Sequence, residues 1–377
     1  MTRSMIVGAA ILVTAGPLEA QPNARDTAST KSAQPDTAPK LSFGGFVDAY
    51  YAWDFRQPSN FDRTYTTQPA RHAEFNINLA FLETKLTGPR YRGRLALQWG
   101  TSVQSNYAGE PRLGGVSGPS VSQFLQEASV GYQLGETLWL DGGIFFAHIG
   151  YEGWISRDNP TYTRSLIADF SPYYEAGVKL TWAPSSSVTT TLVLVNGWQN
   201  ISNYNTPPAT GIRIDYAASP KLTLTYDNFF GNAAPDTARV KLRFFNEVIA
   251  QLKPNASWLF AAALDVGAQS KSTPSGGTAS WYGASVIGKY QLTDRVSTVG
   301  RVERYADPDQ VIVITGLDAP FKTSGASLGL DVGFTPKLLW RTEARVFSSS
   351  DLVWPTHGPG TYVKHDGFLV TSMALTF

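Results

Sequence analysis

The sequence predicts an all-β fold: a transmembrane antiparallel β-barrel of sixteen strands, with long extracellular loops and short periplasmic turns. Three observations carry that expectation. From residue 41 to Phe377, apolar and polar residues alternate with a period of two in strand-length segments. The connections between segments alternate between very short and long. Aromatic side chains gather near both ends of the segments, as the two interfaces of a bilayer favour.

At the start of the chain, MTRSMIVGAAILVTAGPLEAQ carries Arg3, an apolar run from Met5 to about Ala15, then Gly16-Pro17 and the small Ala20. This is the pattern of a secretory signal peptide. Its apolar run is too short for a spanning helix, which needs about 20 residues. Residues 1–20 are therefore expected to be a signal peptide. Residues 21–40, rich in Pro, Ala, Ser, Thr and charge, bury too little apolar surface to order themselves and are expected to form a disordered periplasmic tail. Residues 41–377 are assigned to the outer-membrane barrel. Loss of Arg3 and Glu19 with the signal keeps the formal net charge at +1, so no nucleic-acid partner is expected. The exported chain has no cysteine and must hold together without disulfides.

The first strand is expected from Phe43 to Phe55. In HAEFNINLAF, Phe75, Ile77, Leu79 and Phe81 stand against Glu74, Asn76 and Asn78. In RYRGRLALQWGT, Tyr91, Leu95, Leu97 and Trp99 share one face, and Arg90, Arg92, Arg94 and Gln98 the other. In RVKLRFFNEVIAQL, Val240, Leu242, Phe244, Val248 and Leu252 oppose Arg239, Lys241, Arg243, Glu247 and Gln251. Similar dyads recur in PYYEAGVKLTW, GIRIDY, KLTLTYDNFF, WLFAAALDVG, WYGASVIGKYQL and LLWRTEARVF. Short connections fall at 87–89, 135–136, 183–186, 217–220, 253–255, 293–294 and 335–337. Long ones fall at 56–71, 103–121, 150–171, 198–207, 231–237, 269–279, 307–321 and 349–363. Both chain ends then lie on the short-turn side. QVIVITG (Gln310 to Gly316) is kept inside a loop, because one extra strand would break the even count of an outer-membrane barrel.

A soluble sandwich also alternates, but it hides its apolar faces between two sheets and uses strands of about five or six residues. Longer strands suit a tilted crossing of the hydrocarbon layer. Open edges are not tolerated in lipid, so the sheet must close. Tyr132, Trp182, Tyr216, Tyr290, Trp258 and Trp340 mark the short-turn side, and Trp99, Trp198 and Phe230 the long-loop side. In GFLVTSMALTF, Leu369, Thr371, Met373, Leu375 and Phe377 share one face. This is expected to be the last strand, paired with the first. The terminal Phe377 resembles the signal by which the outer-membrane assembly machinery recognises its clients.

The block from Asp141 to Trp182 resembles the beta-barrel porin-2 family, the OmpL-like porins. The elements that carry the likeness are the corner Ile149-Gly150-Tyr151-Glu152, Asn159, Tyr162-Thr163-Arg164-Ser165 and the return strand Pro172 to Val178. NGWQN (Asn196 to Asn200), GRVERYADPD (Gly300 to Asp309) and WRTEARVFSSSD are also similar to family elements. Gly143-Ile144-Phe145 stands where Gly-Lys-Phe is frequent, so no lysine charge is carried over. The resemblance covers about residues 41–377. It implies a porin of the bacterial outer membrane through which small hydrophilic solutes diffuse, and it names no solute.

Sixteen strands leave an aqueous channel unless something plugs it. The 150–171 connection is expected to fold inward as a constriction carrying Glu152, Asp158 and Asp169. Arg92, Arg94, Arg239, Lys241, Arg243, Arg341 and Arg345 are expected to line the pore, together with Glu74 and Glu303. An acidic loop facing a basic wall creates a transverse field, and the ladders Arg90/Arg92/Arg94 and Arg239/Lys241/Arg243 then favour anions weakly. A plainer reading has these charges wetting the lumen and pairing with one another. Expected partners are outer-membrane lipids, the assembly machinery and small hydrophilic solutes, with no cofactor and an open oligomeric state.

Two other classes stand beside the channel. An adhesin or structural barrel would act through loops bearing Trp154, Trp198 and Tyr204. A lipid hydrolase would need a rim nucleophile, and His148, on the lipid-facing register, has no serine motif beside it. With His72, His148, His357 and His365 unpaired in spacing and no cysteine, no metal ligand set is seen.

Overall fold

A computed structural model describes residues 38–112, 114–116, 118–271 and 276–377. The expected signal peptide, and all but the end of the expected tail, lie outside the described residues. Sixteen strands close into one antiparallel barrel: β1 (Lys40–Asp54), β2 (Phe75–Thr87), β3 (Tyr91–Trp99), β4 (Leu125–Gly135), β5 (Leu138–Phe146), β6 (Tyr174–Ser185), β7 (Val188–Val195), β8 (Ala209–Ser219), β9 (Leu222–Asn232), β10 (Leu242–Asn255), β11 (Trp258–Ser270), β12 (Thr278–Gln291), β13 (Val296–Asp307), β14 (Phe321–Gly333), β15 (Leu338–Ser349) and β18 (His365–Thr376). The short β16 (Trp354–Pro355) and β17 (Tyr362–Val363) form a separate hairpin in the last long loop. Neighbours in sequence are neighbours in the wall, and β1 closes on β18 from Phe46 opposite Thr376 to Asp54 opposite Phe368. The last strand thus removes both sheet edges, as lipid requires.

The solvent on each side sorts the strand faces. On β10, Leu242, Phe244 and Val248 are 48%, 46% and 53% exposed, while Arg243, Phe245, Glu247 and Ile249 are buried inside. An apolar exterior around a polar interior is stable only when the outer solvent is lipid. One strand departs from the expected phase. The register of β1 against β2 skips Asn78, so Leu79 faces Asp48 and Ile77 faces Ala49. This bulge reverses the alternation. Phe75 stays outside at 88% exposure, whereas Leu79 and Phe81 turn into the lumen and are buried.

The eight long connections are loops 1 to 8, at 55–74, 100–124, 147–173, 196–208, 233–241, 271–277, 308–320 and 350–364. Loop 2 contains α1 (Thr101–Tyr107) and α2 (Pro119–Ser122), and loop 3 contains α3 (Leu166–Asp169). Gln310 to Gly316 lies in loop 7 and forms no strand, while Val313 packs inward. Two aromatic clusters sit inside the barrel where the loops meet the wall. One includes Phe145, Tyr162, Phe229, Phe245, Trp281 and Phe321; the other includes Phe46, Phe81, Tyr107, Trp154 and Tyr174.

Candidate functional site

Loop 3 is built into the lumen. At its root, the Ala147 amide donates to the Tyr173 carbonyl (3.0 Å). His148 Nδ1 lies 2.9 and 3.0 Å from the Glu175 carboxylate oxygens, and Nε2 lies 2.7 Å from the Asn228 carbonyl. Both neighbours are acceptors, so the ring donates from both nitrogens as an imidazolium. Burial opposes that charge, but Glu175 outweighs it and the ring pKa is raised. Gly211 makes room: a Cβ there would lie 2.2 Å from Nε2. The sequence places His148 on the lipid side. The structure turns it inward, because β5 ends at Phe146 and the chain bends into the barrel.

From this root the loop reaches the other end of the barrel. Arg157 donates to the Lys337 carbonyl (3.2 Å), to Thr376 Oγ1 (2.7 Å) and to the Pro336 carbonyl, groups of a periplasmic turn and the last strand. A loop has no ladder of its own, and its buried N–H and C=O groups need partners. The charged rows of β13 and β15 supply them. Arg341 donates to the carbonyls of Ser156 (2.7 Å), Asn159 (3.2 Å) and Pro160 (2.5 Å). Glu343 accepts from the Thr163 amide (2.7 Å) and hydroxyl (2.8 Å), and Glu303 accepts from the Leu166 amide (2.6 Å). Arg301 donates to Thr161 Oγ1 (2.8 Å) and the Thr163 carbonyl (2.7 Å). The wall charges also pair with one another: Arg341 with Asp331 (2.8 Å), Arg345 with Glu303 (2.6 Å) and Arg301 with Glu343 (3.1 Å).

Loop 1 covers the outer side of loop 3. Arg164, fully buried, donates to Gln68 Oε1 (2.8 Å) and to the Trp154 carbonyl (2.6 Å). Asp169 accepts from Thr67 Oγ1 (2.7 Å), and burial pushes its carboxyl up to about 6. Glu152 is buried within the loop, where it accepts from the Ser165 amide (3.0 Å) and hydroxyl, with Arg301 at 3.6 Å. Asp158 is half-buried, and the cations whose fields reach it are Arg157, Arg164, Arg94 and Lys85.

The other expected residues divide into wall and rim. Arg92 grips Asp141 with two bonds (2.7 and 2.6 Å) over the Trp139 ring, and Arg94 pairs with Glu83 (2.7 Å) and Glu127. Arg243 is held between Trp198 and Trp281, 5.1 and 5.6 Å from their ring centres. Arg341, Arg345 and Glu303 lie beneath loop 3. Arg239, Lys241 and Glu74 are not on the wall. Arg239 and Lys241 precede β10 in loop 5, where Asn232 Oδ1 accepts the Lys241 amide (3.0 Å), so no three-residue ladder forms. Glu74 precedes β2 and pairs with Arg71 (3.1 Å) at the rim.

Trp154 is buried and Trp198 packs on Phe229 and Phe245, so neither is a free loop tip and Trp198 is not a girdle residue. Lys85, Lys179 and Arg213 on the opposite wall, and Arg301 beneath loop 3, escaped the sequence reading. Their alternation with Leu86, Val178, Ile212 and Val302 was a usable signal. Phe377 exchanges backbone hydrogen bonds with Gly45 (3.1 and 3.0 Å), and its ring lies where a Gly45 Cβ would be, 2.3 Å away.

A family model described as "Putative beta-barrel porin-2, OmpL-like" matches residues 40–377. Among curated proteins no sequence matches. In fold, the chain is similar to the outer-membrane channel DcaP of Acinetobacter baumannii (TM-score 0.62, 11% identity, covering 90% of this chain and 98% of that one). It is also similar to the anion-selective porin from Comamonas acidovorans (TM-score 0.58, 10% identity, 90% and 100% covered). OprB of Pseudomonas putida is a third such structure (TM-score 0.58, 10% identity, 89% and 94% covered).

Proposed function

This chain belongs to the OmpL-like beta-barrel porin-2 family, and from that premise we propose that solutes pass along the side of the lumen that loop 3 leaves uncovered, with a weak preference for anions. The protein is an outer-membrane channel for solute diffusion. One observation carries the finer reading. Loop 3 covers the β13–β15 side and buries Arg301, Arg341 and Arg345, whereas on β2, β3, β6 and β8 Lys85 is open, Arg92 and Lys179 are partly exposed, and Arg94 and Arg213 keep a small exposed surface. Only Glu83 and Asp215 among the paired acids of that side are similarly open; Glu127, Asp141 and Asp227 are buried. A permeating ion therefore meets more accessible cation than anion. Asp158 on the loop, facing Arg94 and Lys85, supplies the opposing pole of a transverse field.

Reversal potentials in planar bilayers under a potassium chloride gradient test this. The native channel is expected to prefer chloride modestly, and a Lys85→Gln, Lys179→Gln double variant is expected to lower that preference. Leu242→Ala, on the lipid face, should leave it unchanged. A clear potassium preference, or no response to the double variant, would overturn the proposed path.

A further inference from the structure

The outward faces of the strands are mostly apolar; Tyr226, Asn228 and Asn246 form a neutral, mutually hydrogen-bonded polar cluster on β9 and β10, and one other place carries charge. Arg304, Ser324, Ser348 and His365 lie opposite one another in a single row across β13, β14, β15 and β18. Each points away from the lumen, since each alternates with buried neighbours such as Glu303, Thr323, Phe347 and Asp366. Beside the row, Ala306 pairs with Lys322 of β14 and with Tyr282 of β12, both outward. Among the described strand residues that face outward, Arg304 and Lys322 are the fixed charges. Elsewhere the long-loop end of the wall presents rings to the interface, as with Trp53, Trp99, Phe230 and Phe244. From β13 to β18 hydroxyls and cations take their place.

A guanidinium facing lipid is tolerated near an interface and is costly at the bilayer midplane, so its position at the extracellular end of β13 is where an anion can meet it. Among the described residues, neither Arg304 nor Lys322 has a carboxylate within ion-pair distance. One guanidinium N–H of Arg304 donates to Ser324 Oγ (3.0 Å), which steadies the side chain against the wall. Nearer the midplane, Val302, Val346 and Leu328 are 59%, 57% and 66% exposed, an apolar surface suited to acyl chains.

We propose that this row binds the phosphate of a phosphorylated lipid headgroup in the outer leaflet. Arg304 and Lys322 make the charged contacts, and the Ser324 and Ser348 hydroxyls donate beside them. A headgroup fits better than a second copy of the chain, because a copy docked through the same face would bring like charges together. The inference rests on the outer-membrane setting of the barrel and is independent of the solute path.

The purified full chain, in detergent with lipid A carrying or lacking its phosphates, tests the proposal by native mass spectrometry. Wild-type protein is expected to retain the phosphorylated form and release the dephosphorylated one. The Arg304→Gln, Lys322→Gln variant should retain it roughly 30-fold more weakly, and Lys221→Gln, in a periplasmic turn, should behave as wild type. Equal retention of both lipids by wild type needs no variant and would refute the site. So would unchanged retention by the double variant, and so would loss of oligomers with lipid retention intact, which would mark the face as a subunit contact.

Discussion

The buried charges beneath loop 3 persist because opposite charges lie in reach. Arg301 has Glu152, Glu303 and Glu343 within 3.6 Å, and an isolated guanidinium there would not be tolerated. Asp169 is the less comfortable case. Burial raises its carboxyl to about 6, above the value of about 4 in an unfolded chain. Its stabilising contribution is therefore complete below about pH 4 and is lost as the pH rises through 6. Asp169→Asn keeps an acceptor for Thr67 without the charge. It is expected to flatten the pH dependence of hydrogen-exchange protection in loop 1 between pH 4 and 7, and an unchanged slope would refute that role. At this scale the sequence was least legible. Nothing in the sequence near Gly211 announces that its missing Cβ admits a histidine ring from sixty-three positions earlier (211 minus 148).

Among the elements, loop 3 carries the most information and the largest departures from expectation. Its inward fold is foreshadowed by its length and polar motif, but its reach to Lys337 and Thr376 is not, since nothing local distinguishes Arg157 from a solvated arginine. The two ends of its anchorage should differ in strength. Arg341→Ala strips three buried carbonyls of their donor and leaves Asp331 with Lys289 (2.6 Å) alone, for an expected loss of about 3 kcal/mol. Arg157→Ala removes partly exposed hydrogen bonds and should cost about 0.5–1.5 kcal/mol, while making the open-channel current noisier. Urea unfolding in lipid vesicles and single-channel recording measure the two effects. Equal losses would mean that the tip contact holds the loop as firmly as the buried row does.

For the whole molecule, closure depends on a seam of nine opposed residue pairs from Phe46–Thr376 to Asp54–Phe368, finished by Phe377 on Gly45. We expect deletion of Phe377 to lower the folded fraction in the outer membrane, read from heat-modifiable electrophoretic mobility. Gly45→Val, which drives a side chain into the Phe377 ring, should act in the same direction. Full folded yield from the deletion would exclude an assembly role for that residue.

The sequence by itself determined the strand count, the closure of β18 on β1, the sidedness of turns and loops, and the lipid-facing surface. Those features follow from a period of two read against two solvents, and that period is local. It misplaced Leu79 and Phe81, because a single bulged residue at Asn78 reverses the phase without altering composition. It also put Arg239 and Lys241 on the wall, since a strand's start is set by what caps it, here Asn232 on the facing strand. Only the tertiary structure decided which lumen charges are accessible. Arg345 and Arg92 occupy equivalent positions in their alternating patterns, yet one lies under loop 3 and the other beside the open side of the barrel. The physical reason is that accessibility inside a barrel depends on where a loop from elsewhere in the chain lies down, and hydrogen bonds between residues more than a hundred positions apart fix that.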